Sequence, residues 1–114
     1  MCDESNPHFS FAAIQAAVAA GNYHFMAYAA EGLVATQLSR VEVELAIAEL
    51  ESRHFHKCLL STAEGWEGEP FDWYICPYRR PGRTSSRTGL SLKLVLEPSG
   101  GVRIFSLHWS MVPK

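Results

Sequence analysis

The stretch Leu90-Ser91-Leu92-Lys93-Leu94-Val95-Leu96 decides the fold, because leucine recurs at every second position. Alternation with a period of two is typical of a β-strand that buries one face. We therefore expect the leucine face of this strand to pack against helices of the same chain.

Three further stretches, residues 53–60, 71–78 and 102–109, are rich in branched and aromatic residues, a composition typical of strands. Residues 97–101, with the sequence Glu-Pro-Ser-Gly-Gly, predict a hairpin connection into the last strand. Together with residues 90–96, these stretches predict a four-stranded, mostly antiparallel sheet.

Helical patterns precede the strands. Residues 11–18 form an alanine-rich run with helical spacing after the capping residue Asn6, and a weaker helical pattern covers 24–34. Ser39 and Glu42 form a capping box, which predicts the start of a further helix. The sequence thus predicts an α+β fold with two or three N-terminal helices packed on the sheet.

The composition is that of one globular domain covering residues 1–114, with 47% hydrophobic and 19% charged residues. No apolar run approaches the roughly 18 to 20 residues that span a bilayer, and the acidic N-terminus lacks a signal-peptide core. We therefore expect a cytoplasmic protein that has no membrane partner. The odd number of cysteines, three, argues against a disulfide framework.

Charge is distributed unevenly along the chain. Residues 1–72 carry 3 basic and 11 acidic groups, whereas residues 73–114 carry 7 basic groups and one acidic group. A basic half on an acidic protein indicates a local anion-binding surface, provided that the fold places the two signs on opposite sides. Solvated surface charge is the alternative.

The basic charge is concentrated in one loop between the second and third predicted strands. Guanidinium groups bind phosphate bidentately and stack on bases, which is typical of RNA binding. The predicted RNA-binding residues of this region are Arg79, Arg80, Arg83, Arg87 and Lys93, with Tyr74 as a stacking face. The alternatives are a solvated loop and an aromatic side chain that fills the core.

Lys57 and His108 are candidate catalytic residues on two different strands. An ammonium stabilises charge that builds on a phosphate, and an imidazole transfers protons near neutral pH. Such a pair predicts a ribonuclease that works without a metal ion or other cofactor. An exposed strand lysine and an edge histidine are the structural alternative.

A zinc site is a further alternative. On a regular strand, His54, His56 and Cys58 would share one face, and imidazole and thiolate are usual zinc ligands. A structural site needs a fourth ligand, which only Cys76 or His108 could supply.

The spacing of several short motifs resembles that of the MqsR (motility quorum-sensing regulator) family of toxins. Pro7-His8 is followed by an apolar helix that ends at Ala20-Gly21. The family strand Asp-Phe-Tyr-Lys-Ser-Met is matched by residues 54–59, which read His-Phe-His-Lys-Cys-Leu. Residues 91–93 match the family Tyr-Leu-Lys, and residues 105–108 match its closing Val-Ser-Phe-Lys.

This resemblance implies a RelE-like fold and the toxin of a type II toxin-antitoxin system. It also implies a metal-independent mRNA endoribonuclease (an mRNA interferase) that a cognate antitoxin protein neutralises. RNA and the antitoxin would be its partners. A second copy of the chain, bound in a homodimer, is a third partner that we consider. A non-catalytic protein-interaction domain of the same fold is the alternative function.

The resemblance carries over to site residues in part. Lys57 matches the family lysine, whereas His108 stands where the family has its terminal lysine. The family tyrosine falls on Ser91, which has no ring, so Tyr74 or Tyr78 would have to replace it in space. The resulting catalytic set is Lys57, His108 and Tyr78.

Overall fold

The computed structural model describes residues 3–78 and 88–111 of the chain. These residues form three α-helices and a five-stranded mixed sheet, which confirms the predicted α+β class. The elements are α1 (Phe11–Ala19), β1 (Tyr23–Phe25), α2 (Ala27–Thr36), α3 (Arg40–Ala48), a 3-10 turn (Ser52–His54), β2 (Phe55–Leu60), β3 (Pro70–Pro77), β4 (Thr88–Leu96) and β5 (Val102–Met111).

The sheet has the strand order β1-β5-β4-β3-β2, in which β1 runs parallel to β5 and the other neighbours are antiparallel. The four predicted strands are present, but β1 was missed because its residues carry the start of the helical pattern over 24–34. Three residues are too short to show a period. The strand is fixed against β5 by backbone hydrogen bonds, from the Val102 N–H to the Asn22 carbonyl and from the Met26 N–H to the Ile104 carbonyl.

The leucine face of β4 packs on the helices, as predicted. Leu90, Leu92 and Leu94 are fully buried in a core that we call the helix core. The helices contribute mainly aliphatic side chains to it, among them Ile14, Val18, Val43 and Ile47.

The helix boundaries follow from their caps. The hydroxyl of Ser10 accepts from the N–H of Ala13 and begins α1, so the cap lies four residues after the predicted Asn6. The predicted capping box of Ser39 and Glu42 is confirmed at α3. No helix in the described residues is long and apolar enough to cross a membrane.

A β-bulge in β2 changes which side chains share a face. Phe55 pairs with Tyr74, but Lys57 pairs with Trp73, so His56 is an extra residue between them. On a regular strand Phe55 and Lys57 would share a face; the bulge places them on opposite faces. The expectation that His56 and Cys58 share one face was therefore wrong, because Cys58 pairs with Asp72 whereas the His56 ring lies against Trp73.

Cysteine pairing also differs from the expectation. Cys58 is disulfide-bonded, and Cys76 is the free cysteine among residues 3–78 and 88–111. An odd count excludes complete pairing but leaves a single pair open. The Cys76 thiol is buried, which raises its pKa to about 11, so it stays protonated at neutral pH.

Asp72 on β3 holds the N-terminal segment against the sheet. Its two carboxylate oxygens accept the backbone N–H groups of His8 and Phe9, both at 2.9 Å. The side chain is fully buried, and burial raises its pKa although both N–H groups act in the opposite direction. The carboxylate therefore replaces water as the partner of two backbone donors.

We expect Asp72→Ala to lower the free energy of unfolding by about 2 kcal/mol, because two partly buried N–H groups lose their acceptor. Urea unfolding followed by circular dichroism measures this loss. Glu67→Ala removes an exposed carboxylate and should change stability by less than about 0.5 kcal/mol. Equal effects of the two variants would contradict the role given to Asp72.

Candidate functional site

The face of the sheet opposite the helix core brings together three of the predicted site residues. We call it the site face and define it by Lys57, Trp73, Lys93 and His108. Directly paired residues of neighbouring strands project to the same face. Lys57 pairs with Trp73, Trp73 with Lys93, and Lys93 with Ser106, so these four residues form one row across the sheet.

A second row lies beside the first. Ile75 pairs with Ser91, and Ser91 pairs with His108. Adjacent strands are about 4.8 Å apart, so Lys57 and Lys93 are separated by about 10 Å across the sheet. Lys57 and His108 are separated by three strand spacings, about 14 Å, whereas Lys93 and His108 lie on neighbouring strands. Lys93 is therefore the lysine nearer to the imidazole.

Trp73 connects the residues of the two rows. Its indole N–H donates to the Ser91 hydroxyl oxygen at 2.6 Å. Its ring centroid is 4.5 Å from that of His56 in an edge-on arrangement and 5.2 Å from the Lys93 Nζ. These contacts fix the indole between the two lysines, so it is held by partners on both sides.

Lys93 is a half-buried cation against aromatic rings. Its Nζ lies 5.5 Å from the centre of the Phe71 ring in addition to its contact with Trp73. Partial burial lowers the pKa of Lys93 below its usual value. Within the described residues, no carboxylate forms an ion pair with Lys93. The ammonium is thus available to an anionic ligand.

The two histidines of the site face favour their neutral forms. Partial desolvation, followed by the positive charge of Lys93, lowers the pKa of His108 below 6.5. Desolvation, followed by the charge of Lys57, lowers the pKa of His56 in the same direction. A neutral imidazole at pH 7 can accept a proton, which an imidazolium or an ammonium cannot do.

Tyr74 and Tyr78, both predicted as site residues, lie on the helix side of the sheet. Tyr74 is fully buried in the helix core, and burial raises its pKa to about 12. The Tyr78 hydroxyl contacts Glu42 at 3.5 Å, and its ring packs beside Trp109. Neither hydroxyl reaches the site face, so we leave both tyrosines out of the candidate site.

The arginine loop is the remaining part of the predicted site. Its four predicted RNA-binding residues, Arg79, Arg80, Arg83 and Arg87, lie outside the described residues. Their assignment stays a prediction.

The geometry does not support the zinc alternative. His54 lies in the 3-10 turn, where its Nδ1 accepts the Glu51 N–H at 3.0 Å, and Cys58 is disulfide-bonded. The bulge turns His56 toward Trp73 on the site face. No group of three or more His, Cys, Asp or Glu side chains in the described ranges is placed to hold a metal ion.

Acidic side chains lie on both sides of the sheet. Glu42 and Glu44 belong to α3, which packs on the other side of the sheet. On the site side, Arg103 forms ion pairs with Glu69 at 2.9 Å and Glu97 at 3.2 Å. Arg103 thus offsets the charge of two carboxylates on the site side, whereas Glu64 lines the same cavity as Lys93.

Trp73 and Ser91 have a place at the site that the sequence did not indicate. The sequence pattern singles out Tyr74 and not Trp73 as a stacking face, and Ser91 only marks the position of the family tyrosine. The alternation of Trp73 with buried Tyr74, and of Ser91 with the leucines, is the signal that assigns both to one face. Their mutual hydrogen bond depends on strand register, which no local pattern contains.

We expect Lys93→Met to raise the pKa of His108, because it removes the nearby positive charge and keeps an apolar stem. NMR titration of the His108 ring protons measures the shift directly. If neutral His108 acts as a base, cleavage falls as pH drops through this pKa, so the acid limb moves to higher pH in the variant. Arg53→Ala removes an exposed charge before β2 and should leave the pKa of His108 unchanged. An unshifted pKa in Lys93→Met would contradict the electrostatic effect of Lys93 on His108.

No protein-family model matches the chain, and no curated protein is similar to it. The resemblance to the MqsR family therefore stays a prediction, and the function rests on the geometry of the site face.

Proposed function

We propose that this protein is a metal-independent endoribonuclease and the toxin of a type II toxin-antitoxin system. The observation that carries the proposal is the position of Lys93 and the neutral imidazole of His108 on neighbouring strands of one face, with Lys57 in the same row as Lys93. Phosphoryl transfer from RNA needs a proton acceptor and a cation on the phosphate, and this face supplies both.

The reaction uses the neighbouring 2′-hydroxyl of RNA. His108 accepts the 2′-hydroxyl proton while the 2′-oxygen forms a bond to phosphorus and the bond from phosphorus to the 5′-oxygen breaks. The imidazolium then returns the proton to the leaving 5′-oxygen, which leaves a 2′,3′-cyclic phosphate. Lys93 stabilises the negative charge that builds on the phosphate oxygens in the transition state.

Lys57 has a separate task in this scheme. It lies about 10 Å from Lys93 across Trp73 and about 14 Å from His108. A cation at that distance binds an adjacent phosphate of the same strand and fixes the direction of the RNA on the sheet. The Trp73 indole between the lysines offers a stacking surface for a base.

The resemblance to the MqsR family supports the toxin assignment and the RelE-like fold. Lys57 stands at the position of the family lysine. His108 stands in place of the terminal family lysine and is a group that can transfer protons. Ser91, which stands where the family has a tyrosine, accepts a hydrogen bond from the Trp73 indole. We therefore expect a cleavage specificity that differs from the family pattern, and a cognate antitoxin as the protein partner.

The experiment is incubation of the pure protein with a mixed-sequence mRNA in EDTA, beside Lys57→Ala, His108→Ala and the control Arg53→Ala. We expect discrete cleavage by the parent and the control, loss of cleavage in His108→Ala, and in Lys57→Ala a loss that saturating protein largely restores. Products should end in a 2′,3′-cyclic phosphate, and a DNA copy of the substrate should stay intact. Cleavage that survives in His108→Ala would overturn the proposed proton transfer.

A non-catalytic interaction domain is the second candidate, and exposed apolar side chains on the helices favour it. Val41 and Leu45, one turn apart on α3, are 61% and 56% exposed. A folded parent protein that cleaves neither free nor ribosome-bound mRNA would favour this candidate over the nuclease.

A further inference from the structure

A cavity of about 700 Å³ opens on the site face, beside Lys93. Its floor includes Phe71, Lys93 and Phe105. One wall is Tyr28 at the start of α2, and the other is the loop that follows β2, residues 61–64. This volume lies within the usual range of sites for small organic ligands.

The apolar part of the cavity consists largely of aromatic rings. Phe71 and Phe105 lie nearly parallel, with an interplanar angle of 10° and ring centroids 5.9 Å apart. Tyr28 is 58% exposed, so its ring is accessible to a ligand in the cavity. Flat aromatic surfaces of this kind bind a flat ligand by stacking.

Polar groups in the same cavity are suited to the edge of such a ligand and to an attached phosphate. Lys93 supplies the cation, and Ser106, its partner on β5, supplies a hydroxyl beside it. Glu64 lies in the lining with a carboxylate that can only accept hydrogen bonds when ionised.

The wall opposite Tyr28 is braced before any ligand binds. Two backbone hydrogen bonds of 2.8 Å connect the ends of the loop after β2. The Ser61 N–H donates to the Glu69 carbonyl, and the Gly68 N–H donates to the Ser61 carbonyl. Arg103 holds Glu69 at 2.9 Å and lies 4.1 Å from the centre of the Trp66 ring. An ion pair and a cation–π contact hold this loop in place before a ligand binds. Because little ordering of the loop is then left to occur, the entropic cost of binding is low.

We propose that this cavity binds one unpaired RNA base, adjacent to the phosphate held by Lys93, and prefers a base that carries an exocyclic amino group. The base stacks on Tyr28, and its amino group donates to Glu64. Uracil fits less well, because its one ring N–H is flanked by two carbonyl oxygens that the carboxylate repels. This inference rests on the proposed function and assigns the subsite that selects its substrate.

The test measures binding of fluorescein-labelled 2′-O-methyl hexanucleotides, which cannot be cleaved because they lack the 2′-hydroxyl proton. We expect the parent protein to bind oligo(A) and oligo(C) more tightly than oligo(U). Tyr28→Ala should weaken oligo(A) binding about 10-fold through the loss of one stacked base. Val34→Ala, an exposed change on the same helix that lies outside the cavity lining, should leave binding unchanged. Glu64→Gln should reduce the preference for oligo(A) over oligo(U), because an amide also donates.

A parallel cleavage assay separates this inference from the proposed function. If the parent cleaves mRNA and Tyr28→Ala changes neither affinity nor the pattern of cleavage sites, the base subsite is overturned and the nuclease stands. If the parent does not cleave but binds the hexanucleotides through Tyr28, the nuclease fails and the subsite stands. Binding of AMP as tightly as oligo(A) would overturn RNA as the ligand in favour of a free nucleotide.

Discussion

Replacing Lys93 with methionine should lower the rate constant of RNA cleavage by about 100- to 1,000-fold, the usual loss when one preorganised charge-stabilising group is removed. Lys93 lies on the strand next to His108, and no carboxylate of the described residues forms an ion pair with its ammonium. Methionine keeps an unbranched apolar chain against Phe71 and Trp73, so the fold should survive. Single-turnover cleavage of a defined RNA in EDTA gives the rate constant without interference from product release.

The matched comparison for this prediction is Lys57→Met. Because Lys57 is exposed and lies three strands from His108, its loss should act mainly on RNA binding and leave the single-turnover rate at saturating protein less affected. Equal cleavage by Lys93→Met and the parent, with a large loss in Lys57→Met, would reverse the roles that we assign to the two lysines.

Gly32→Ala should lower the free energy of unfolding by about 3 kcal/mol, which is the upper part of the usual range for overpacking a tight contact. A Cβ atom at Gly32 would lie 2.1 Å from the carbonyl oxygen of Leu107 on β5. That oxygen belongs to the backbone of β5, which pairs with β4 at this position, so α2 would have to move away from the strand. In an exposed helix the same change stabilises by roughly 0.5 to 1 kcal/mol, so the sign of the effect reports the contact.

Urea unfolding measures this effect, and Ala30→Gly provides the comparison on the exposed side of the same helix. We expect Ala30→Gly to cost about 1 kcal/mol, as helix propensity dictates. Displacement of α2 in Gly32→Ala should also weaken oligonucleotide binding, because Tyr28 at the start of that helix lines the cavity. A Gly32→Ala protein as stable as its parent would contradict the close packing of α2 on β5.

Much of the fold was predictable from local pattern. The alternating leucines of β4 identify a strand and the face that packs on the helices, since a period-two pattern of apolar residues requires no knowledge of the partner strand. The capping box at Ser39 and Glu42 identifies the start of α3, because both hydrogen bonds of the motif are local. Strand β1 was not predictable: its three residues acquire their conformation from parallel pairing with Val102–Ile104 of β5.

The candidate site was predictable by residue type and not by geometry. Lys57, Lys93 and His108 are of the types that bind phosphate or transfer protons, and their assignment to strands was possible. That Lys57 lies on the same face as Lys93 and His108 could not be predicted, because the bulge at His56 changes which residues of β2 share a face. For Tyr74 and Tyr78, the sequence left surface stacking and core packing open, and both lie on the side opposite the site.

The sequence by itself determined the α+β class, the buried face of β4 and the segregation of acidic and basic groups along the chain, because each depends on composition or on a period within a few residues. Only the tertiary structure decided that Lys93 lies nearer to His108 than Lys57 does. It also decided that Trp73 donates a hydrogen bond to Ser91 and that Tyr28 lines a cavity. Strand order, register and two register shifts, in β2 and between β4 and β5, bring these residues together from positions up to 80 residues apart. Those pairings are settled by the burial of the whole sheet against the helices, which no short stretch of the chain encodes.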